Sequence, residues 1–170
     1  DADEDFFYGA VAAIPATLLV PLLRGAPGPL TEWLAAVRYR PALTLALILE
    51  RPSEERFFGL SFPQGVNEYV AAVAIQENKG VPVSDTERGV LIAFPTPEAA
   101  PELIEMEPRE ILDRMLPEIA VAFPGIEDRV IRARTYRWTA GSPVMYPGYL
   151  AHLGLFRGGG PEGDVPLSIA

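Results

Sequence analysis

Cysteine is absent from this chain, and histidine occurs once, as His152. The first absence excludes disulfides, thiolate metal sites and a cysteine nucleophile, and it fits a cytosolic protein. The second excludes a histidine-rich metal centre. Positive charge is scarce: 14 Lys and Arg stand against 23 Asp and Glu, for a formal charge of −9. Phosphate neutralisation needs clustered Lys and Arg, so this balance argues against a nucleic-acid partner. Long hydrophobic runs are missing too. The longest, Ala10 to Leu23, is broken by Pro15 and Pro21 and is too short for a membrane span. It follows Asp1-Ala2-Asp3-Glu4-Asp5 rather than a basic stretch, so it is no signal peptide.

The familiar motifs of phosphate, hydrolytic and zinc chemistry do not occur. There is no GxGxxG after a strand, no P-loop, no GxSxG and no HExxH. Gly158 to Gly160 form a glycine run, but no helix follows to offer an anion-binding N-terminus. Ser142, in Gly141-Ser142-Pro143, makes no nucleophile elbow, which leaves a triad with His152 without support.

What is present suits a globular domain. The chain has 170 residues, 49% of them hydrophobic, enough for one domain with a real core. Phe6 to Ile14 is strand-like, and Pro15 opens a helix reaching about Leu23. Gly25-Ala26-Pro27-Gly28-Pro29 is a break, after which Thr31 is the expected N-cap of a short helix over Glu32 to Val37. Leu43 to Leu49 reads as a central strand buried on both faces, bounded by Pro41 and Pro52. Phe57 to Phe62, Tyr69 to Gln76 and Gly89 to Phe94 read as further strands of an antiparallel meander. Ile111, Leu112, Met115, Leu116 and Ile119 predict a helix from Pro108 to Ala122, interrupted by Pro117 and stopped at Pro124-Gly125. Val130 to Arg134 is another strand. The fold class is therefore α+β: a mostly antiparallel mixed sheet with helices packed on one side. Gly158 to Gly163 reads as a flexible link to a last strand, Val165 to Ala170. With no starting Met and a buried-type strand at the very end, the chain is expected to be a fragment of a longer protein, one domain over 1–170.

The most informative segment is Thr135 to Leu150, TYRWTAGSPVMYPGYL, with four aromatics, two prolines and two glycines. Surface loops are usually polar. This one reads as an aromatic lid that lines a cavity or covers a flat ligand.

Several segments in order resemble the flavin-dependent amine oxidase superfamily, most closely its protoporphyrinogen oxidase and phytoene desaturase-like branch. Val11-Ala12-Ala13-Ile14-Pro15-Ala16 is similar to the family's v-A-T-P-a turn, with Ile14 where Thr is common. Arg38-Tyr39-Arg40-Pro41, Leu43 to Leu49 and Glu50-Arg51-Pro52 resemble the strand that enters the substrate domain. Gly59-Leu60-Ser61-Phe62-Pro63 resembles the G-f-l-v-P strand after it. Arg137-Trp138 through Pro143 and Tyr146 to Gly148 resembles the W-x-x-a-x-P-x-Y-x-x-G segment, one residue longer and with proline directly after the tyrosine. Leu167 to Ala170 stops where the family continues into a Gly-Asp flavin motif.

The resemblance implies the substrate-binding part of an enzyme that oxidises a large apolar or conjugated substrate by hydride or electron transfer to FAD. It implies that the main FAD-binding domain lies outside this chain, with 1–24 and 165–170 as its edges, and that the isolated chain is inactive and holds FAD poorly. It implies cofactor-side roles for Ile14, Pro15, Ala16 and Trp138, and substrate-lining roles for Tyr39, Met145 and Tyr146. No catalytic residue is assigned. True amine oxidases often carry a lysine near the flavin on the strand after the v-A-T-P helix. Here Thr44 falls near that place and no lysine lies between Leu43 and Leu49, which favours the porphyrinogen or desaturase branch. A fragment of this kind exposes the apolar surface that its partner domain covers, so a homodimer through that surface is a further expectation. The location expected is cytoplasmic, with peripheral membrane association open.

Each of these residues also has a plainer reading. Trp138 fits a core position at a strand end, Tyr146 a loop phenol bonded to backbone, Met145 a core filler and Ile14-Pro15-Ala16 a simple helix start. His152 is either a proton shuttle or a structural residue. Arg132 and Arg134 share one strand face, where they meet either a carboxylated substrate or solvent. Glu102, Glu105, Glu107 and Glu110 surround a helix start, where they favour the dipole. The competing function is a non-enzymatic α+β module that holds an apolar ligand or a partner protein through the aromatic segment.

Overall fold

The computed structural model describes residues 12–23, 28–80 and 87–149. The chain divides into two compact units, residues 1–39 with 143–170, and residues 40–142. The N-terminal part of the first expected strand, the Gly25 to Pro27 part of the break, His152, the glycine run and the final strand lie outside the described residues.

The larger unit is built on a five-stranded sheet. Its strands are β1 (Tyr39–Leu49), β2 (Gly59–Ser61), β3 (Val70–Ile75), β4 (Gly89–Pro95) and β5 (Val130–Pro143), in the spatial order β2-β3-β4-β1-β5. The pairings β2–β3 and β3–β4 are antiparallel, as the meander predicts, while β1 pairs antiparallel with β4 and not with β2, which follows it in the chain. β5 runs antiparallel to β1 as well: Glu50 donates its N–H to the Arg129 carbonyl at 2.9 Å, while Gly141 lies against Ala42 at the far end.

Alternation along each strand sorts the sheet into two faces. On one face Leu45 pairs with Ala93 and Leu47 with Leu91, and Val73 and Ile75 continue the rows across β3. All of these are buried, together with Leu43 and Leu49. Helix α3 (Ala100–Leu103) and helix α4 (Pro108–Ala122) complete this core with Leu103, Ile111, Met115 and Ile119. The i, i+4 spacing of the last three puts them on one helix stripe. α4 starts with a capping box, in which the Glu107 carboxylate accepts from the third helical N–H and Glu110 accepts from the Glu107 N–H. Beside the dipole role expected of them, these two glutamates thus bond directly to the backbone of the first turn. Pro117 lies inside α4 on an exposed position, so the carbonyl it leaves unpaired meets solvent. The helix ends before Gly125, whose φ of +76° only glycine adopts without strain.

Two long-range carboxylate contacts pin this layout. The Glu118 carboxylate, on α4, accepts the backbone N–H groups of Glu68, Tyr69 and Val70 at 2.7 to 3.2 Å. It thereby fixes the start of β3 beneath the helix. The Glu77 carboxylate accepts from the N–H of Ser53 at 2.9 Å and of Val90 at 3.1 Å, tying the loop after β1 to the start of β4.

The smaller unit holds α1 (Ala16–Leu19), a 3₁₀ turn over Val20–Leu22, and α2 (Gly28–Ala36). The helix expected from Pro15 to Leu23 is thus split, because Pro21 cannot donate to the helical ladder. α2 begins earlier than expected, and Thr31 is inside it, not at its cap. Its hydroxyl donates back to the Gly28 carbonyl at 2.9 Å, a bond helix-interior threonines often make.

The aromatic segment needs the largest correction. Thr135 to Pro143 is no lid: it is the second half of β5, one unbroken strand from Val130. Its glycine answers to packing, since a Cβ on Gly141 would sit 2.8 Å from the Ala42 nitrogen and 3.0 Å from its Cα. The β-branched and aromatic residues of Thr135-Tyr136-Arg137-Trp138-Thr139 suit a pleated edge strand better than a loop. Only beyond Pro143, which ends β5, does the chain turn.

Candidate functional site

The second face of the sheet is apolar and carries no described helix of its unit. Ala46 on β1 lies opposite Ile92 on β4, which lies opposite Ala74 on β3; Ile48 faces Val90, and Ala72 faces Phe94. Three alanines hollow out the middle of this surface, while Phe94 stands up from it, 39% exposed. On β5 the alternation continues the same division. Ala133 packs on the core, whereas Arg132, Arg134, Tyr136 and Trp138 are exposed in a period-two row. The Tyr136 and Trp138 rings stack, with centroids 6.3 Å apart and planes 22° apart. Trp138 is 47% exposed, so the core position open to it in the sequence is not the one it takes. Arg137, on the opposite parity, turns to the helix side and donates to the Met106 carbonyl.

Ion pairing leaves the arginine row out. The pairs among the described residues are Arg51 with Glu54, Arg109 with Asp113, and Arg114 with Glu102. Arg114 belongs to the helix side, where it donates to Glu102 at 2.6 Å and lies over the Tyr69 ring at 5.5 Å from its centroid. A hydrogen bond with Glu68 raises the Tyr69 pKa above the ordinary phenol value, desolvation adds to this, and Arg114 opposes it. The Glu102 hydrogen bond likewise raises the pKa of Arg114. This cluster is a surface clamp between α4 and the start of β3. Among the described residues no group of three or more His, Cys, Asp and Glu could hold a metal, and no helix is long and apolar enough to cross a membrane.

The other sequence candidates fall in the smaller unit, where the structure brings several together. Ala16 donates its N–H to the Tyr39 hydroxyl at 2.8 Å. Ala16, Tyr39 and Tyr146 all pack on a cluster of Leu19, Leu30, Trp33, Leu34, Val37 and Tyr149. Tyr146 meets Tyr149 edge-on at 5.5 Å, and Val144 donates to the Arg38 carbonyl at 2.7 Å, which sets this turn beside the entry to β1. Ile14 is 44% and Met145 66% exposed, so neither fills a core. Pro15 precedes α1 as its N-cap residue. Trp138 lies in the other unit.

Sequence reasoning passed over Tyr136 and the Ala46–Ile92–Ala74 surface. The period-two row from Arg132 to Trp138 was the available signal for the first. The surface had no such signal, since a strand covered on both faces and one left open on a shallow apolar face share the same composition.

Neither a protein-family model nor a curated protein matches this sequence. Solved structures do match in fold. A protoporphyrinogen oxidase-like protein from Exiguobacterium sp. 255-15 aligns over 83% of this chain and 31% of its own, at 18% identity and a TM-score of 0.59. A redesigned putrescine oxidase aligns over 84% of this chain and 32% of its own, at 21% identity and a TM-score of 0.59. Reduced UDP-galactopyranose mutase aligns over 83% and 31%, at 13% identity and 0.57. The antiparallel sheet with helices on one side is the α+β architecture of these amine oxidase-like structures. The chain spans about a third of the length of each.

Proposed function

We propose that this chain is the substrate-binding part of an FAD-dependent oxidoreductase of protoporphyrinogen oxidase-like type, acting on a large apolar or conjugated substrate. The observation that carries this reading is the apolar sheet face ending in the Tyr136–Trp138 stack. A flat ring finds there a shallow floor of alanines and an exposed aromatic edge, the usual composition of a ligand-binding wall. The fold likeness and the one-third coverage support it, because the remaining two thirds of such a protein is where a flavin domain belongs.

The residues present fit the ring of the cofactor or its substrate, and not the cofactor's phosphates. α4 has its N-terminal donors closed by the Glu107–Glu110 capping box, and α1 has four residues. Bound FAD would supply the hydride or electron-pair acceptor. In the larger unit Trp138 would stand where the substrate ring meets the cofactor; in the smaller unit Tyr39, Met145 and Tyr146 are the candidates for contact with substrate. Their part is to bind, orient and exclude water, since none of them is placed as an acid or base. The turn at Ile14, Pro15 and Ala16 would approach the cofactor closely, with the Tyr39 hydroxyl holding its backbone at Ala16.

The test is the complete polypeptide that carries this chain. It should purify with the visible absorbance of an oxidised flavin, and Trp138→Ala should perturb that spectrum and slow flavin reduction by a conjugated substrate. A colourless, flavin-free full-length protein that stays stable would remove the reading. It would leave the non-enzymatic apolar-ligand module, which the self-contained core of residues 40–142 favours.

A further inference from the structure

The ladder between β1 and β4 ends before β1 does, and two prolines account for it. The last pair on that side is Leu45 with Ala93. Carried further, the same register sets Pro41 level with Pro97 and Arg40 level with Glu98. Neither proline has an N–H to donate, so the ladder cannot close there and the two chains part. Between them opens a cavity of about 340 Å³, lined by Arg40, Pro41, Pro97, Glu98, Ala100 and Pro101. All six belong to the larger unit. Its volume lies at the small end of the range of ligand pockets, about 300–1,000 Å³. One wall is fixed by Thr96. The Thr96 hydroxyl donates to the Glu68 carbonyl at 2.7 Å and accepts from the Ala99 N–H at 3.2 Å, and its carbonyl accepts from the Ala100 N–H at 3.0 Å. A wall already held in place spares a ligand the cost of ordering it.

Opposite charges level with one another on neighbouring strands ordinarily meet. Arg40 and Glu98 line the same cavity, both exposed, and form no ion pair with each other. The shared cavity, with a carboxylate on its other side, sets Arg40 apart from the other arginines that lack a partner. A ligand with one charge would answer only one of the two groups, whereas a zwitterion answers both. We infer that this cleft binds a small apolar amino acid, with its carboxylate on Arg40, its ammonium on Glu98 and its side chain among Pro41, Pro97 and Pro101. The planar guanidinium suits a carboxylate, and the side chains of the three prolines and Ala100 carry no polar atom, so the body of the ligand is aliphatic.

The experiment titrates the whole chain with L-leucine, 4-methylpentanoate and 3-methylbutylamine at low salt, followed by backbone amide shifts. The second ligand is leucine without its ammonium, and the third is leucine without its carboxylate. Leucine should shift the amides of Arg40, Glu98 and Ala100 saturably. It should bind about fivefold more tightly than either analogue, the upper range for a charge contact that water reaches. Arg40→Gln should bring leucine down to the affinity of 3-methylbutylamine and leave that amine's own binding unchanged. Glu98→Gln should do the same with respect to 4-methylpentanoate. Arg88→Gln makes the same charge change at an exposed residue outside the cavity and should preserve the preference for leucine. The amide spectra also show that each variant remains folded. Absence of a saturable shift around the cavity, equal affinities for the three ligands, or a loss in Arg88→Gln as large as in Arg40→Gln overturns the inference.

Discussion

The two faces of one sheet are made of nearly the same residue types and have opposite fates. On the helix side, Leu43, Leu45, Leu47 and Leu49 of β1 meet Leu91, Ala93, Val73 and Ile75 and are sealed by α3 and α4. On the other side, Ala46 faces Ile92, Ile48 faces Val90 and Ala72 faces Phe94, without a described helix of their unit above them. The difference lies in side-chain size and in the ends of the strands. The helix side uses large aliphatics that interdigitate at interior density. The other side uses alanine at its centre and keeps its large residues, Phe94, Tyr136 and Trp138, at 39 to 47% exposure. The helix side is sealed, while the other side buries Ala46 and Ala74 but leaves Phe94, Tyr136 and Trp138 exposed, so substitutions on the two should separate stability from binding if the second face is the wall proposed above.

The largest effect belongs to the sealed face. Leu47→Ala removes a side chain with 0% exposure and leaves a cavity between β1 and the helices. It should cost about 2–5 kcal/mol, read as a lower urea midpoint at an unchanged slope. Gly89→Ala comes next. Its Cβ would sit 2.8 Å from the Arg51 carbonyl oxygen and 2.9 Å from both the Pro52 Cα and Glu77 Oε1. Two of those three atoms are backbone and cannot swing away, so about 1–3 kcal/mol should be lost. Glu118→Ala leaves the N–H groups of Glu68, Tyr69 and Val70 without their acceptor. About 1–3 kcal/mol is expected in the same urea titration, with part restored by Glu118→Gln, which keeps one acceptor oxygen in place.

These contrasts also explain what was legible in the sequence. β1 was readable because seven apolar residues in a row bounded by prolines leave few alternatives, and α4 because its apolar spacing and its opening glutamates agree. β5 beyond Arg134 was not. Gly141, Pro143 and the aromatics look like loop chemistry, and the tight approach to Ala42 that demands the glycine depends on which strand lies alongside. The same holds for the contacts that cross long stretches of chain. Glu118 reaching β3, Glu77 bridging Ser53 and Val90, and Tyr39 meeting Ala16 are products of topology, and no local spacing encodes them. Of the site candidates, Ala16, Tyr39 and Tyr146 proved to be neighbours, while Trp138 pairs with Tyr136, to which only the period-two spacing on β5 pointed.

The smallest stability effect should come from the open face, and it is the one that sharpens the comparison most. Trp138→Thr removes a half-exposed ring and keeps a residue that favours strands. What is lost is the stack on Tyr136, worth about 0.5–1.5 kcal/mol in a buried pair and less where water reaches both rings. The urea midpoint should therefore barely move. If the Tyr136–Trp138 pair holds a flat ring as proposed, affinity for the neutral probe 1-pyrenebutanol should fall severalfold. If instead Trp138→Thr destabilised the chain as much as Leu47→Ala, the open face would be part of the core and the division of labour between the two faces would fail. A stable chain with weakened ring binding assigns recognition to the face opposite α3 and α4.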